Sequence, residues 1–244
     1  MNNIARGSIF NIKIDFERSS GAYIYDKNSD RKYLDFFGMY ASLPLGYNHK
    51  VFKSEQLAVE AAIKISLHYK NYKTLNVLSF NNSFHGVNSY GGFITGRFST
   101  SLKRLKGLPE LFSTKCNYDI QEVEKIMSNK DNPVTCIVVE PIQCTAGDIH
   151  HDREFFSKLR DLCNAYDVPM VFDEIQVGFG ATGKLWYFEH LGITPDIVVF
   201  GKKTQVSGLM VTKKFSDIFN RDDVPRLEVT WNSDTLDMIR CKYI

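Results

Sequence analysis

Two stretches decide the fold: Pro169-Met170-Val171-Phe172-Asp173 and Ile197-Val198-Val199-Phe200-Gly201-Lys202. Each is a short, almost continuously apolar run followed by a charged residue, the pattern of a strand buried on both faces. Upstream, Thr135-Cys136-Ile137-Val138-Val139-Glu140 repeats it. Between this run and the next lie residues 153–166, which place Phe155, Phe156, Leu159, Leu162, Cys163 and Tyr166 on one helical stripe. Strand, helix and strand in that order predict an α/β fold with a parallel sheet. Working outward, Asn76–Phe80 predicts another short strand. Residues 54–70 predict a helix with Ser54 as N-cap and Leu57, Ala58, Ala61, Ala62 and Ile65 at helical spacing. Nearer the start, residues 22–26 and 32–36 predict two short strands joined by the turn Lys27-Asn28-Ser29-Asp30.

Composition narrows the function classes. The chain has 244 residues, 43% of them hydrophobic, enough for one substantial core or two small ones. Lys plus Arg number 30 and Asp plus Glu 28, a formal charge of +2 that gives no electrostatic reason to expect nucleic acid or a membrane surface as partner. Cys116, Cys136, Cys144, Cys163 and Cys241 are widely spaced and odd in number, against a disulfide framework or structural zinc site. Residues 1–10 lack the apolar core of a signal peptide, and no apolar run approaches membrane-spanning length. The expected location is the cytoplasm.

In open parallel sheets, ligands bind beyond the carboxyl ends of the strands. Glu140, Asp173 and Lys202 all stand at such ends. A polar residue closing one apolar run is ordinary; three charged ones point to a site. An NTPase is one way to read Asp173-Glu174 with Gly201-Lys202-Lys203-Thr204, but a phosphate loop needs a glycine where Asp196 stands. Gly180-Ala181-Thr182-Gly183-Lys184 is too short and runs into Leu185. The alternative pairs Asp173 with Lys202. A strand-end aspartate can keep a pyridinium nitrogen protonated, and a lysine on the next strand end can form a Schiff base with an aldehyde. These are the two protein groups a pyridoxal phosphate site requires.

The residues between them carry a resemblance. Phe172-Asp173-Glu174-Ile175-Gln176-Val177-Gly178-Phe179-Gly180-Ala181-Thr182-Gly183, followed by Pro195-Asp196-Ile197-Val198-Val199-Phe200-Gly201-Lys202, resembles the signature of class III pyridoxal-phosphate aminotransferases. Phe84-His85-Gly86 and Glu140-Pro141-Ile142-Gln143 match two further motifs of that family, in the right order. Gly201-Lys202-Lys203-Thr204-Gln205-Val206 with Thr230-Trp231 is similar to the branch that acts on the ε-amino group of lysine. The resemblance implies the large domain of a fold type I pyridoxal-phosphate transferase, mostly parallel with flanking helices and incomplete. Residues 1–50 would be an N-terminal segment and 51–244 a partial cofactor-binding domain, with the C-terminal small domain absent.

It also implies roles. Lys202 would bond the cofactor and shuttle a proton, Asp173 would pair with the ring nitrogen, and Gln176 would bond the phenolic oxygen. Phe84 would stack on the ring, with His85 and Gly86 shaping that turn. Ser54 and Gln56, in the stretch Ser54-Glu55-Gln56, would stand at the phosphate cup. Thr230 would reach the phosphate across a homodimer interface. The implied substrates are lysine as amino donor and a 2-oxo acid, 2-oxoglutarate, as acceptor. Departures from the family stand at Glu55, a carboxylate beside the phosphate; at Val87, where the branch carries an arginine for the substrate carboxylate; at Thr145, where it carries a gating glutamate; and at Trp231-Asn232-Ser233-Asp234. These leave two further readings: a non-catalytic relative that retains part of the cofactor site, and a scaffold with an altered donor.

Overall fold

A computed structural model describes residues 13–15, 17–20, 23–34, 57–71, 76–87, 89–97, 113–204, 206–220 and 227. The chain divides into two compact units, Met1–Phe52 and Lys53–Ile244. In the first, β1 (Tyr23–Tyr25) and β2 (Lys32–Leu34) pair antiparallel. Asp26 builds the turn between them. Its carboxylate accepts the N–H groups of Lys13, Asn28 and Ser29 and the Ser29 hydroxyl, which holds it below the usual carboxylate range.

In the second unit, α1 (Ala58–Tyr69) precedes β3 (Asn76–Phe80), α2 (Ser89–Ile94), β4 (Ser113–Cys116), α3 (Ile120–Met127) and β5 (Val134–Val139). A small antiparallel pair follows, β6 (Ile142–Gln143) with β7 (Ile149–His150). Then come α4 (Arg153–Ala165), β8 (Met170–Asp173), α5 (Phe188–Leu191), β9 (Ile197–Phe200) and β10 (Gly208–Val211). Among the described residues, six strands form one sheet in the order β10-β9-β8-β5-β3-β4. All neighbours are parallel except β10, which runs antiparallel to β9 at the edge.

The central strands are apolar throughout because both faces are covered. Cys136 and Val138 of β5 face the cluster built on Ala58, Ala62 and Ile65 of α1, while Ile137 and Val139 face Val123 of α3 and Phe156, Leu159 and Cys163 of α4. Phe156 and Phe172 meet edge to face, with centroids 5.6 Å apart. Truncating such a buried ring to alanine typically costs about 3–5 kcal/mol.

One expected boundary is corrected. The helix opens at Ala58 after Leu57, with no side-chain cap, and not at a serine N-cap. Leu57 lacks a side-chain acceptor; its carbonyl takes the Ala61 N–H at 2.9 Å. Ser54 itself lies outside the described residues.

Candidate active site

The carboxyl edge of the sheet collects polar groups from separate segments. Asp173 is the last residue of β8 and Gln176 lies in the turn after it. Gly201 and Lys202 follow β9, while Phe84 and His85 lie in the loop after β3. Parallel pairing of β8 with β9 sets the first two beside the third, because register aligns the strand ends.

Asp173 is 5% exposed. Its Oδ2 accepts the His85 Nδ1–H at 2.8 Å, and its Oδ1 accepts the Ile175 N–H at 3.2 Å. The His85 ring is wholly buried, and its Nε2 has no hydrogen-bond partner among the described residues. Lys202 sits at φ +49°, in the left-handed region, and opens a single 3-10 turn, Lys202–Thr204. A non-glycine residue there costs on the order of 1–3 kcal/mol, strain that proteins tend to keep at functional sites. Its Nζ donates to Gln176 Oε1 at 2.6 Å, and Lys203 Nζ donates to the Gln176 carbonyl. Gln176 is thus gripped through both side chain and backbone. Burial pulls the Lys203 ammonium below its ordinary range, and Lys202 adds to the pull.

The Phe84-His85 turn is fixed from several sides. Phe84 is half-buried, and its N–H donates to Glu140 Oε2 at 2.9 Å. The His85 N–H donates to Thr95 Oγ1, also at 2.9 Å. Gly86 has φ +128°, and a Cβ at Gly91 would lie 2.5 Å from the His85 carbonyl oxygen, so glycine is required where α2 approaches the turn. Burial pushes the Glu140 carboxyl up to about 7, and Asp173 adds to the push against the opposing effects of His85, the Phe84 N–H and Lys202. The segment after Glu140 is braced as well. Tyr118 donates its hydroxyl to the Glu140 carbonyl at 2.9 Å, and Gln143 Nε2 donates to the Asn81 carbonyl at 2.7 Å.

Of the residues singled out from sequence, the structure brings Asp173, Gln176, Lys202, Phe84 and His85 to this edge. Ser54, Gln56 and Thr230 lie outside the described residues, as do Glu55 and Trp231. Val87 is 58% exposed, and Thr145 Oγ1 is buried with no hydrogen-bond partner among the described residues. Sequence reasoning missed the work of Glu140, Thr95 and Glu174. Glu140 was conspicuous as a strand-end acid, but nothing in the sequence points to a backbone N–H 56 positions upstream as its partner. Glu174 accepts the N–H groups of Tyr187 and Phe188 at 2.6 and 2.9 Å, which fixes the turn carrying Gln176 to the start of α5.

The donor set fits a pyridine aldehyde cofactor. A carboxylate offers about four acceptor positions, and Asp173 uses two of them on His85 and Ile175, so it retains capacity for a protonated ring nitrogen. A primary amine and an amide stand together at the neighbouring strand end.

The aminotransferase class-III family model matches residues 50–241. The chain belongs to the class-III aminotransferases. Among similar proteins is the L-lysine-epsilon aminotransferase of Mycobacterium tuberculosis, 28% identical across 96% of this chain and 69% of the relative. That of Streptomyces clavuligerus is also 28% identical, across 95% and 68%. The 4-aminobutyrate aminotransferase of Schizosaccharomyces pombe is 27% identical across 95% and 67%. The solved structure of lysine aminotransferase from M. tuberculosis in the internal aldimine form superposes with a TM-score of 0.81 at 25% identity, over 98% of this chain and 72% of that one. The fold is that of the fold type I aminotransferases, and the cofactor of this class-III aminotransferase is pyridoxal phosphate. Among the described residues, no helix is long and apolar enough to cross a membrane.

Proposed function

We propose that this class-III aminotransferase moves the ε-amino group of L-lysine to 2-oxoglutarate, giving 2-aminoadipate 6-semialdehyde and glutamate, as a cytoplasmic homodimer. The observation that carries the chemistry is the meeting of Lys202 with Gln176, and of Asp173 with His85, at one sheet edge. The choice of lysine as donor rests on the names of the relatives.

Pyridoxal phosphate, when bound, supplies an aldehyde that exchanges amines and a ring that takes up the electron pair released at the donor carbon. The protein's residues would do the rest. Asp173, held by His85, would keep the ring nitrogen protonated. Gln176 has its Oε1 occupied by Lys202, so its Nε2 would donate to the phenolic oxygen. Lys202 Nζ would hold the cofactor and, once released from it, carry a proton to and from the donor carbon. Phe84 would cover the ring face. Ser54 and Gln56 would meet the phosphate, and Thr230 would do so from the second copy of the chain. The cofactor-binding domain would span residues 51–244, with residues 1–50 as an N-terminal segment.

A second reading, a non-catalytic relative that keeps the cofactor site, is favoured by one observation. Val87 and Thr145, whose Oγ1 has no hydrogen-bond partner among the described residues, stand where the resemblance implies an arginine and a glutamate for the substrate. Glutamate formation from 2-oxoglutarate, with lysine, 4-aminobutyrate or N-acetylornithine as donor, separates the readings. Product from lysine that vanishes in Lys202→Ala supports the proposal. Product from another donor alone removes lysine, and cofactor binding without any product supports the non-catalytic relative.

A further inference from the structure

Glu140 follows β5 and is 5% exposed, yet its carboxylate accepts a backbone N–H, that of Phe84. Burying a carboxylate is costly, and one backbone donor is a small return for it. An amide would accept the same bond more cheaply. The geometry says what the contact secures. Phe84 and His85 are held by Glu140 after β5, by Thr95 after α2, and by Asp173 at the end of β8. Two of these holds act on His85, and that of Glu140 acts on Phe84. The pull comes from the strand next to β8 in the sheet, so the turn is registered against the strand that carries Asp173.

We propose that Glu140 is a positioning residue for the cofactor site, acting through the Phe84 backbone to set the Phe84 ring over the pyridine face. This rests on the reading that Phe84 covers that face.

The test is the affinity of the apo-protein for pyridoxal phosphate, followed by fluorescence quenching, with the visible circular dichroism of the bound cofactor as a second readout. Glu140→Leu keeps bulk and removes the acceptor; it should bind about 10- to 30-fold more weakly. Glu140→Gln keeps an acceptor oxygen and should stay within about threefold of wild type, with an unchanged dichroic band. Phe84→Ala should weaken binding to a similar degree as Glu140→Leu, and the double variant should be no more than about twofold worse than the weaker single variant.

Wild-type affinity in Glu140→Leu, or full additivity with Phe84→Ala, would overturn the proposal. If Glu140→Leu does not fold, Glu140→Gln decides: an altered dichroic band or a tenfold loss of affinity contradicts positioning through the N–H, and a wild-type band supports it. Wild-type affinity in Phe84→Ala is a different failure. It removes the ring-covering role of Phe84 itself, whereas weak Phe84→Ala binding with additive Glu140→Leu leaves that role standing and removes only the part given to Glu140.

Discussion

The two ends of the parallel sheet each bury an aspartate, and they use it differently. At the opening end of β9, Asp196 Oδ2 accepts Arg160 Nη1 at 2.8 Å and the Met170 N–H at 2.9 Å, so one carboxylate oxygen joins α4 to β8. At the closing end of β8, Asp173 is held by a histidine and one backbone N–H. The guanidinium carries its charge at every working pH. The imidazole holds its carboxylate through one nitrogen, and its second nitrogen has no partner among the described residues. A buried carboxylate with a permanent counter-charge works as a staple. One held by a single imidazole and one backbone N–H, with spare acceptor capacity, is suited to a ligand that brings its own proton.

The sharpest way to break that contrast is to remove each acid in turn. Asp173→Asn should lower transamination by roughly 10³-fold while the denaturant midpoint moves little, because the amide fills the same space but cannot balance a ring proton. Steady-state rates and urea melts on the same preparation check it. Asp196→Ala should do the reverse. It leaves the largely buried Arg160 guanidinium without its carboxylate and should destabilise the fold by about 3–5 kcal/mol, while the folded fraction binds pyridoxal phosphate as wild type does.

A smaller effect sharpens the picture at the site end, where acids lie close together. Glu174 is pushed up to about 7 by burial, against the two N–H groups it accepts. Its ordinary value is 4.5, so between pH 4.5 and 7 the native state keeps a proton that the unfolded chain has released. Stability therefore falls as pH rises through that window and levels off above it, by roughly 3 kcal/mol for one such group. Glu140 contributes a slope of the same sign. Urea melts from pH 4.5 to 8 should show the decline, and Glu174→Gln should remove about half of it. The smallest effect lies far from the site: Asp119 caps α3 by accepting the Gln121 N–H at 2.9 Å, and Asp119→Ala should cost about 1 kcal/mol in a thermal melt.

What the sequence revealed follows the same division. The buried strands around Val138, Val171 and Val199 were legible because both faces are covered and the apolar runs are unbroken. The stripe of α4 was legible because Phe156, Leu159 and Cys163 keep helical spacing. Strand β4 was not, since only Cys116 of Ser113–Cys116 is buried and an edge strand needs no apolar run. Strand β10 escaped for a similar reason: it is an edge strand and none of its residues is buried. Helix α3 carried a signal that went unread, Asp119 ahead of Val123 and Met127. At the site, Asp173, Gln176 and Lys202 could be picked out because strand ends and motif fix them. The bonds from Glu140 to Phe84 and from His85 to Asp173 span 56 and 88 positions, and only the register of the sheet creates them.

The most direct test of the central claim is where the cofactor attaches. The protein would be incubated with pyridoxal phosphate, reduced with borohydride and digested, and the peptide spanning Gly201-Lys202-Lys203 fragmented in a mass spectrometer. The account predicts the reduced cofactor on Lys202, none on Lys203, and no labelled site in Lys202→Ala. Label on Lys203, label scattered over surface lysines, or no label at all would contradict it.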